Sequence, residues 1–143
     1  PGYGTTANML SYRPAMSTQY TYMLTTLNPY APEKEVAYWC PQDFDGKERK
    51  RLYMTIMATD FAKMNGLKIT NARGDNVKIS KVGFKAGPQW FGKLDLDEKI
   101  RSPRQVVKIP FKGPGTTEGL EREVVVYVTI EGGPQSWGMI SLY

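Results

Sequence analysis

Beyond residue 50, apolar and polar residues mostly alternate, the two-residue period of a half-buried strand. Glu123–Ile130 is the strongest such segment, with Val124, Val125, Val126, Tyr127 and Val128 consecutive. A continuous β-branched run suits a strand covered on both faces, so it is expected at the centre of a sheet. Leu67–Thr70 and Val77–Lys85 read as strands around a tight turn at Arg73-Gly74-Asp75-Asn76, with Val77, Ile79 and Lys81 on one side. Lys81 and Lys85 then share a side while Lys78 takes the other. Leu94-Asp95-Leu96-Asp97 alternates as an edge strand with a solvated face would. Gln105–Phe111 runs to Gly113-Pro114-Gly115, and Met139–Leu142 forms a short closing strand.

Leu52–Met64 carries two periods at once. Leu52, Met54, Ile56 and Ala58 alternate with Tyr53, Thr55, Met57 and Thr59, whereas Tyr53, Met57, Phe61 and Met64 have helical spacing before Asn65-Gly66. The β-branched Thr55, Ile56 and Thr59 favour a strand ending near Asp60 over a helix. An internal echo links Ala86-Gly87-Pro88-Gln89-Trp90-Phe91-Gly92 to Gly132-Gly133-Pro134-Gln135-Ser136-Trp137-Gly138. Equivalent strand–corner–strand units paired across a sandwich would produce it, as would the frequency of Gly-Pro at strand ends. Strands recurring between turn signals predict a mainly β fold: an antiparallel β-sandwich, jelly-roll-like, with at most one or two short helices.

The first 32 residues differ in kind. Arg13 is the only charged side chain between Pro1 and Pro32, and Tyr3, Tyr12, Tyr20, Tyr22 and Tyr30 all fall there. Met9, Met16, Met23 and Tyr30 lie seven apart, but Pro14 interrupts the continuous helix a heptad needs. Disordered tails are rich in charge and poor in aromatics, the opposite of this segment. Residues 1–32 are therefore expected to form an extended arm lying on a surface of its own domain or of a neighbour, with residues 33–143 as one β-rich domain.

Composition narrows the function. Among 143 residues, 14 Gly and 10 Pro demand more turns than a helical bundle tolerates, and no apolar run reaches the ~18–20 residues of a membrane-spanning helix. The absence of His removes the usual general base and the commonest transition-metal ligand. Cys40 is the single Cys, so no internal disulfide forms; with neither His nor a cationic neighbour in its Trp39-Cys40-Pro41 setting, it reads as an inert, buried thiol. One unpaired Cys and a start at Pro1 fit an intracellular or organellar protein, trimmed of a targeting segment, better than a secreted one.

Candidate chemistry is sparse. Arg73-Gly74-Asp75 spells an adhesion tripeptide, but Gly-Asp-Asn between strands is ordinary turn chemistry. Asp95, Asp97 and Glu98 lack the glycine and distal glutamate of a calcium loop, and Asp43 and Asp45 with Gly46 make a turn. Neither a phosphate loop, nor a nucleophile elbow, nor zinc spacing occurs. A non-enzymatic chain without metal or cofactor is the expectation. The net charge of +5 favours an acidic partner. Lys47, Arg49, Lys50, Arg51, Lys81 and Lys85 are the candidate basic contact, although acids interleaved throughout and the lack of an RNA-binding signature argue against nucleic acid. Trp90, Phe91 and Trp137, at the echoed corners, either plug the sandwich ends or stack on sugar rings.

Asp60–Ile69 followed by Val77–Val82 resembles the strand–corner–strand rhythm of jelly-roll carbohydrate-binding modules. That resemblance implies a sandwich and, for function, sugar binding. Two functions follow for testing. The first is a structural or linker subunit whose arm (Tyr3, Tyr12, Arg13, Tyr20, Tyr22, Tyr30) clasps a neighbour while the basic domain meets an acidic protein. The alternative is a carbohydrate-binding module using Trp90, Phe91 and Trp137.

Overall fold

A computed structural model describes the backbone of Asn8–Met9 and residues 37–143. The arm residues Tyr3, Tyr12, Arg13, Tyr20, Tyr22 and Tyr30 lie outside the described residues. The described residues form nine strands: β1 (Asn8–Met9), β2 (Ala37–Trp39), β3 (Arg49–Met57), β4 (Gly66–Gly74), β5 (Val77–Ala86), β6 (Gln89–Ile100), β7 (Gln105–Pro110), β8 (Glu123–Glu131) and β9 (Ser136–Leu142). A 3-10 turn spans Pro41–Phe44, and one α-helix, α1, spans Ala58–Lys63.

The sheets are ordered β1-β3-β8-β5-β6 and β2-β9-β4-β7, packed as a β-sandwich. All pairings are antiparallel except β1 with β3, where Asn8 and Met9 lie parallel to Leu52 and Tyr53. Strands β2 to β9 pair as nested partners: β2 with β9, β3 with β8, β4 with β7, β5 with β6. A long hairpin rolled up in this way is a jelly roll, as the turn spacing led one to expect. β8 is central, between β3 and β5. Its inward residues Val124, Val126, Val128 and Ile130 are inaccessible, while Val125 and Tyr127 on the outer face are only half-buried.

Both periods in Leu52–Met64 are real, in succession. The alternation holds through Met57, three residues short of the expected end at Asp60, and buries Leu52, Met54 and Ile56. There the Ala58 N–H donates to the Arg122 carbonyl (2.9 Å), and one and a half turns of helix follow. Its Phe61 is fully buried, 5.6 Å from Phe84 and 5.9 Å from Phe91 between ring centroids, with Phe111 stacked on Phe84 at 4.2 Å. These four rings close the core at the helix end of the sandwich.

The opposite end is held by polar side chains. Trp39 Nε1 donates to Ser136 Oγ (3.0 Å), Ser136 Oγ donates to Asn71 Oδ1 (3.1 Å), and Asn71 Nδ2 donates to the carbonyls of Asp75 and Ile100 (2.9 Å each). Every group in this buried chain has a partner, and it ties both sheets together. Gly138 is required beside it, because a Cβ there would overlap the Trp39 indole.

Three local expectations are corrected. The Arg73–Asn76 turn joins β4 of one sheet to β5 of the other rather than closing a hairpin, and Gly74 takes φ +91° against the Gln135 carbonyl. The two echoed corners are not equivalent: Gly87-Pro88 is a hairpin turn within one sheet, whereas Gly132–Gln135 crosses between sheets. Lys78 does not oppose Lys81 and Lys85. A bulge between Ile79 and Lys81 inserts Ser80 relative to β8, so that all three lysines face outward.

Candidate contact face

The outer face of the five-stranded sheet gathers the chain's chemistry in rows, because residues opposite each other in antiparallel strands share a face. Reading from β3 through β8 and β5 to β6, one row is Thr55, Val125, Lys85 and Trp90. The next is Tyr53, Tyr127, Gly83 and Lys93, followed by Arg51, Thr129, Lys81 and Asp95. The last is Arg49, Glu131, Lys78 and Lys99.

Aromatic rings and cations interleave at the centre. Tyr127 lies 5.9 Å from Tyr53 and 5.5 Å from Trp90 between centroids. The Arg51 guanidinium sits 4.6 Å over the Tyr127 ring; Lys93 Nζ and Lys85 Nζ sit 4.5 Å and 5.3 Å from the Trp90 ring. Each cation is within the range where the ring quadrupole attracts it. Gly83 adds no side chain between Tyr127 and Lys93, which leaves room for the Trp90 indole to approach Tyr127. Around this centre the charges pair: Lys81 with Asp95 (3.6 Å), Lys78 with Asp97 (3.7 Å) and with Glu131 (4.0 Å), Arg49 with Glu131 (4.0 Å).

Of the sequence-predicted basic residues, the fold brings Arg49, Arg51, Lys81 and Lys85 onto this face. Lys50 points the other way on β3; it is buried and its Nζ lies 3.3 Å from Asp45. Lys47 is exposed in the loop before β3. Trp90 belongs to the face, but Phe91 turns inward against Phe61, and Trp137 lies on the other sheet under the Arg73 guanidinium at 4.2 Å. Sequence reasoning missed Tyr53, Tyr127, Lys93 and Lys99, and put Lys78 on the wrong side. Their signal was available in the odd phase of the strands, where polar and aromatic residues alternate with the core valines.

Cys40 is buried, and its burial, then the Asp43 carboxylate, push the thiol up to about 11. Asp43 Oδ2 also accepts the Cys40 N–H (2.9 Å). Asp75 Oδ2 accepts the Gln135 N–H (2.9 Å), which holds the Arg73-Gly74-Asp75 tripeptide in its corner. Among the described residues no group of three or more Cys, Asp or Glu is placed to hold a metal ion, and no helix is long and apolar enough to cross a membrane.

No family model matches the chain, and no curated protein does. Solved structures similar to it include the carbohydrate-binding module TmCBM61 in complex with β-1,4-galactotriose, at 11% identity over 76% of this chain and 79% of that one, with a TM-score of 0.36. The pre-peptidase C-terminal domain of collagenase from Bacillus anthracis is similar at 8% identity over 79% of this chain and 98% of that one, TM-score 0.32. A CBM4 structure follows at 11% identity, 78% and 74% coverage and TM-score 0.28. At such identities and scores, no function transfers.

Proposed function

We propose that this chain is a non-catalytic subunit of a larger protein assembly, and that the outer face of its five-stranded sheet contacts an acidic neighbour. The observation that carries the proposal is the pair of lysines, Lys85 and Lys93, held over the Trp90 ring beside Tyr127; Arg51, over Tyr127, is itself buried. Aromatic residues and Arg are enriched where proteins meet, and a cation already held over a ring loses little freedom when it pairs with a carboxylate. The arm, with one charge and five tyrosines through Pro32, supplies a second contact in this reading.

Sugar binding is the second reading, favoured by the half-buried indoles of Trp90 and Trp137 on the outer faces. Against it, stacking on a sugar needs an open ring face, whereas Lys93 and Lys85 flank Trp90, Arg73 covers Trp137, and Phe91 is packed in the core. Size-exclusion chromatography of a native extract, paired with calorimetry of the purified chain against galacto- and gluco-oligosaccharides, separates the two. Elution with a large complex and no heat from the sugars is expected. Elution as a monomer with saturable sugar binding would replace the subunit by the binding module.

A further inference from the structure

The outer face of the four-stranded sheet is enclosed where a bare sheet would be wet. Register fixes which residues point outward. Tyr38, Met139, Thr70 and Val106 form one row across β2, β9, β4 and β7, and Ser141, Lys68 and Lys108 form the next across β9, β4 and β7. Their neighbours in sequence, Trp39, Ile140, Ile69 and Ile109, face the core. Yet Met139 is only 4% exposed, Thr70 2% and Ser141 0%. The burial fades toward β7: Lys68 is half-buried, Lys108 is exposed, and Val106 is 46% exposed. On the matching face of the other sheet, Val125 and Tyr127 of the central strand stay half-buried.

Neighbours within the sheet do not account for this. Met139 is longer than the Thr70 and Ser141 side chains beside it, so on an open face it would stand above them into solvent. Ser141 Oγ is buried without a hydrogen-bond partner, whereas a serine on an open face is met by water. Burial also pushes the Tyr38 phenol above its ordinary range. Among the described residues no strand or helix crosses this face, since α1 packs on β3 and β8 of the other sheet. β1 ends at Met9 on one sheet and β2 starts at Ala37 on the edge of the other, beside β9, so residues 10–36 enter the four-stranded sheet where its outer face is most deeply buried. Composition matches on the two sides. Tyr38, Met139, Thr70 and Ser141 are uncharged, and residues 10–32 carry four tyrosines and two methionines with Arg13 as their only charge.

We infer that the outer face of the four-stranded sheet is the seat of the chain's own N-terminal arm, with residues 10–32 lying across β2, β9 and β4 over Met139, Thr70 and Ser141. Flat tyrosine rings cover a surface of hydroxyl and thioether groups at low entropic cost, and Pro14, Pro29 and Pro32 reduce the freedom lost on seating. The inference goes beyond the subunit reading and does not depend on it, because the side of the arm turned away from the sheet is left for a neighbour. Of the three enclosed residues only Met139 is strongly apolar, so the face can be wetted without loss of the fold when the arm leaves.

The test is paramagnetic relaxation in the full chain. Thr25→Cys in a Cys40→Ser background carries a nitroxide, and ¹⁵N-edited spectra are compared before and after its reduction. Amides of Tyr38, Thr70, Met139 and Ser141 are expected to lose most of their intensity, and those of Lys81, Val125 and Tyr127 on the far sheet to lose much less. Higher ionic strength should leave the pattern unchanged, since neither surface relies on charge. Thr70→Glu, which sets a charge beneath the arm, should abolish the broadening while the rest of the spectrum is kept, and Thr70→Ser should preserve it. A mixture of ¹⁵N-labelled chain without nitroxide and nitroxide-bearing chain without ¹⁵N should show no broadening. Broadening spread evenly over both sheets, broadening centred on Val125 and Tyr127, or broadening in the mixture, which would seat the arm on a second copy, would overturn the inference. The measurement uses no partner, so its failure is distinct from failure of the subunit reading, which is judged by association alone.

Discussion

Val126 offers the sharpest test of the core. It sits midway along β8, flanked in register by Met54 on β3 and Phe84 on β5, and all three are inaccessible. Val126→Thr keeps the shape and exchanges a methyl for a hydroxyl. Its two cross-strand neighbours on the inner face offer no oxygen acceptor, and the backbone groups of β8 are committed to the ladders on either side. A buried hydroxyl without a partner costs about 1–3 kcal/mol. For a domain of this size that corresponds to a fall in Tm of roughly 4–15 °C. Val126→Asp places a charge there, and no cation faces the site from either neighbouring strand, so unfolding at room temperature is expected. Urea and thermal denaturation followed by circular dichroism read both variants, and the urea m-value of the Thr variant should match the parent if the native surface is unchanged. A Thr variant with the parental Tm, or an Asp variant with native dichroism, would remove β8 from the centre of the sheet.

Other expectations follow from single groups. Thr129 Oγ1 is buried without a hydrogen-bond partner, so Thr129→Val should raise Tm by a few degrees; a lower Tm would mean that the hydroxyl is satisfied. The Cys40 thiol, raised to about 11, holds about 100-fold less thiolate at pH 8 than one at 9.0, and Ellman's reagent should react with it only on unfolding. Because the unfolded thiol ionises first, Cys40 makes stability fall as pH rises from about 9 to about 11, and Cys40→Ser should flatten that part of the urea-midpoint profile. Deleting Pro1–Pro32 removes the two-residue pairing of β1 with Leu52 and Tyr53, so Tm should drop by only a few degrees while recovery in the assembly is lost. Aggregation of the truncated chain would instead assign the arm to the core.

Period-two patterning made much of the sheet legible, since Val77 and Ile79 are buried for the reason that their alternation suggests; the continuous run Val124–Val128 marked the central strand correctly but not its covering, because Val125 and Tyr127 on the outer face are only half-buried. It failed where backbone geometry changes without a change in composition. Nothing in Val77–Lys85 marks the bulge at Ser80, yet that one residue moves Lys78 onto the face of Lys81 and Lys85. Likewise, Gly-Pro ends a strand equally well in a hairpin and in a crossover, so the echoed corners looked equivalent and are not. The candidate face was half visible. Arg49, Arg51, Lys81, Lys85 and Trp90 were named as residues of interest, but their convergence required the β3-β8-β5-β6 order, a long-range property that local pattern does not encode. Lys50, in the same basic run, shows the converse: its place on the opposite side of β3 sends it to Asp45.

The most direct test of the subunit reading is salt-titrated association of the intact chain with its native assembly, comparing the parent with Lys85→Glu/Lys93→Glu. Both lysines are on the outer face and outside the core, so the variant should keep the parental Tm. Parental association is expected to weaken as ionic strength rises toward a few tenths molar, where screening cuts the reach of exposed charges to well under ~10 Å. The variant should bind at least tenfold more weakly at low salt and show a shallower salt dependence. Association that is indifferent to both salt and charge reversal would contradict the account and leave the cations over Trp90 as surface packing alone.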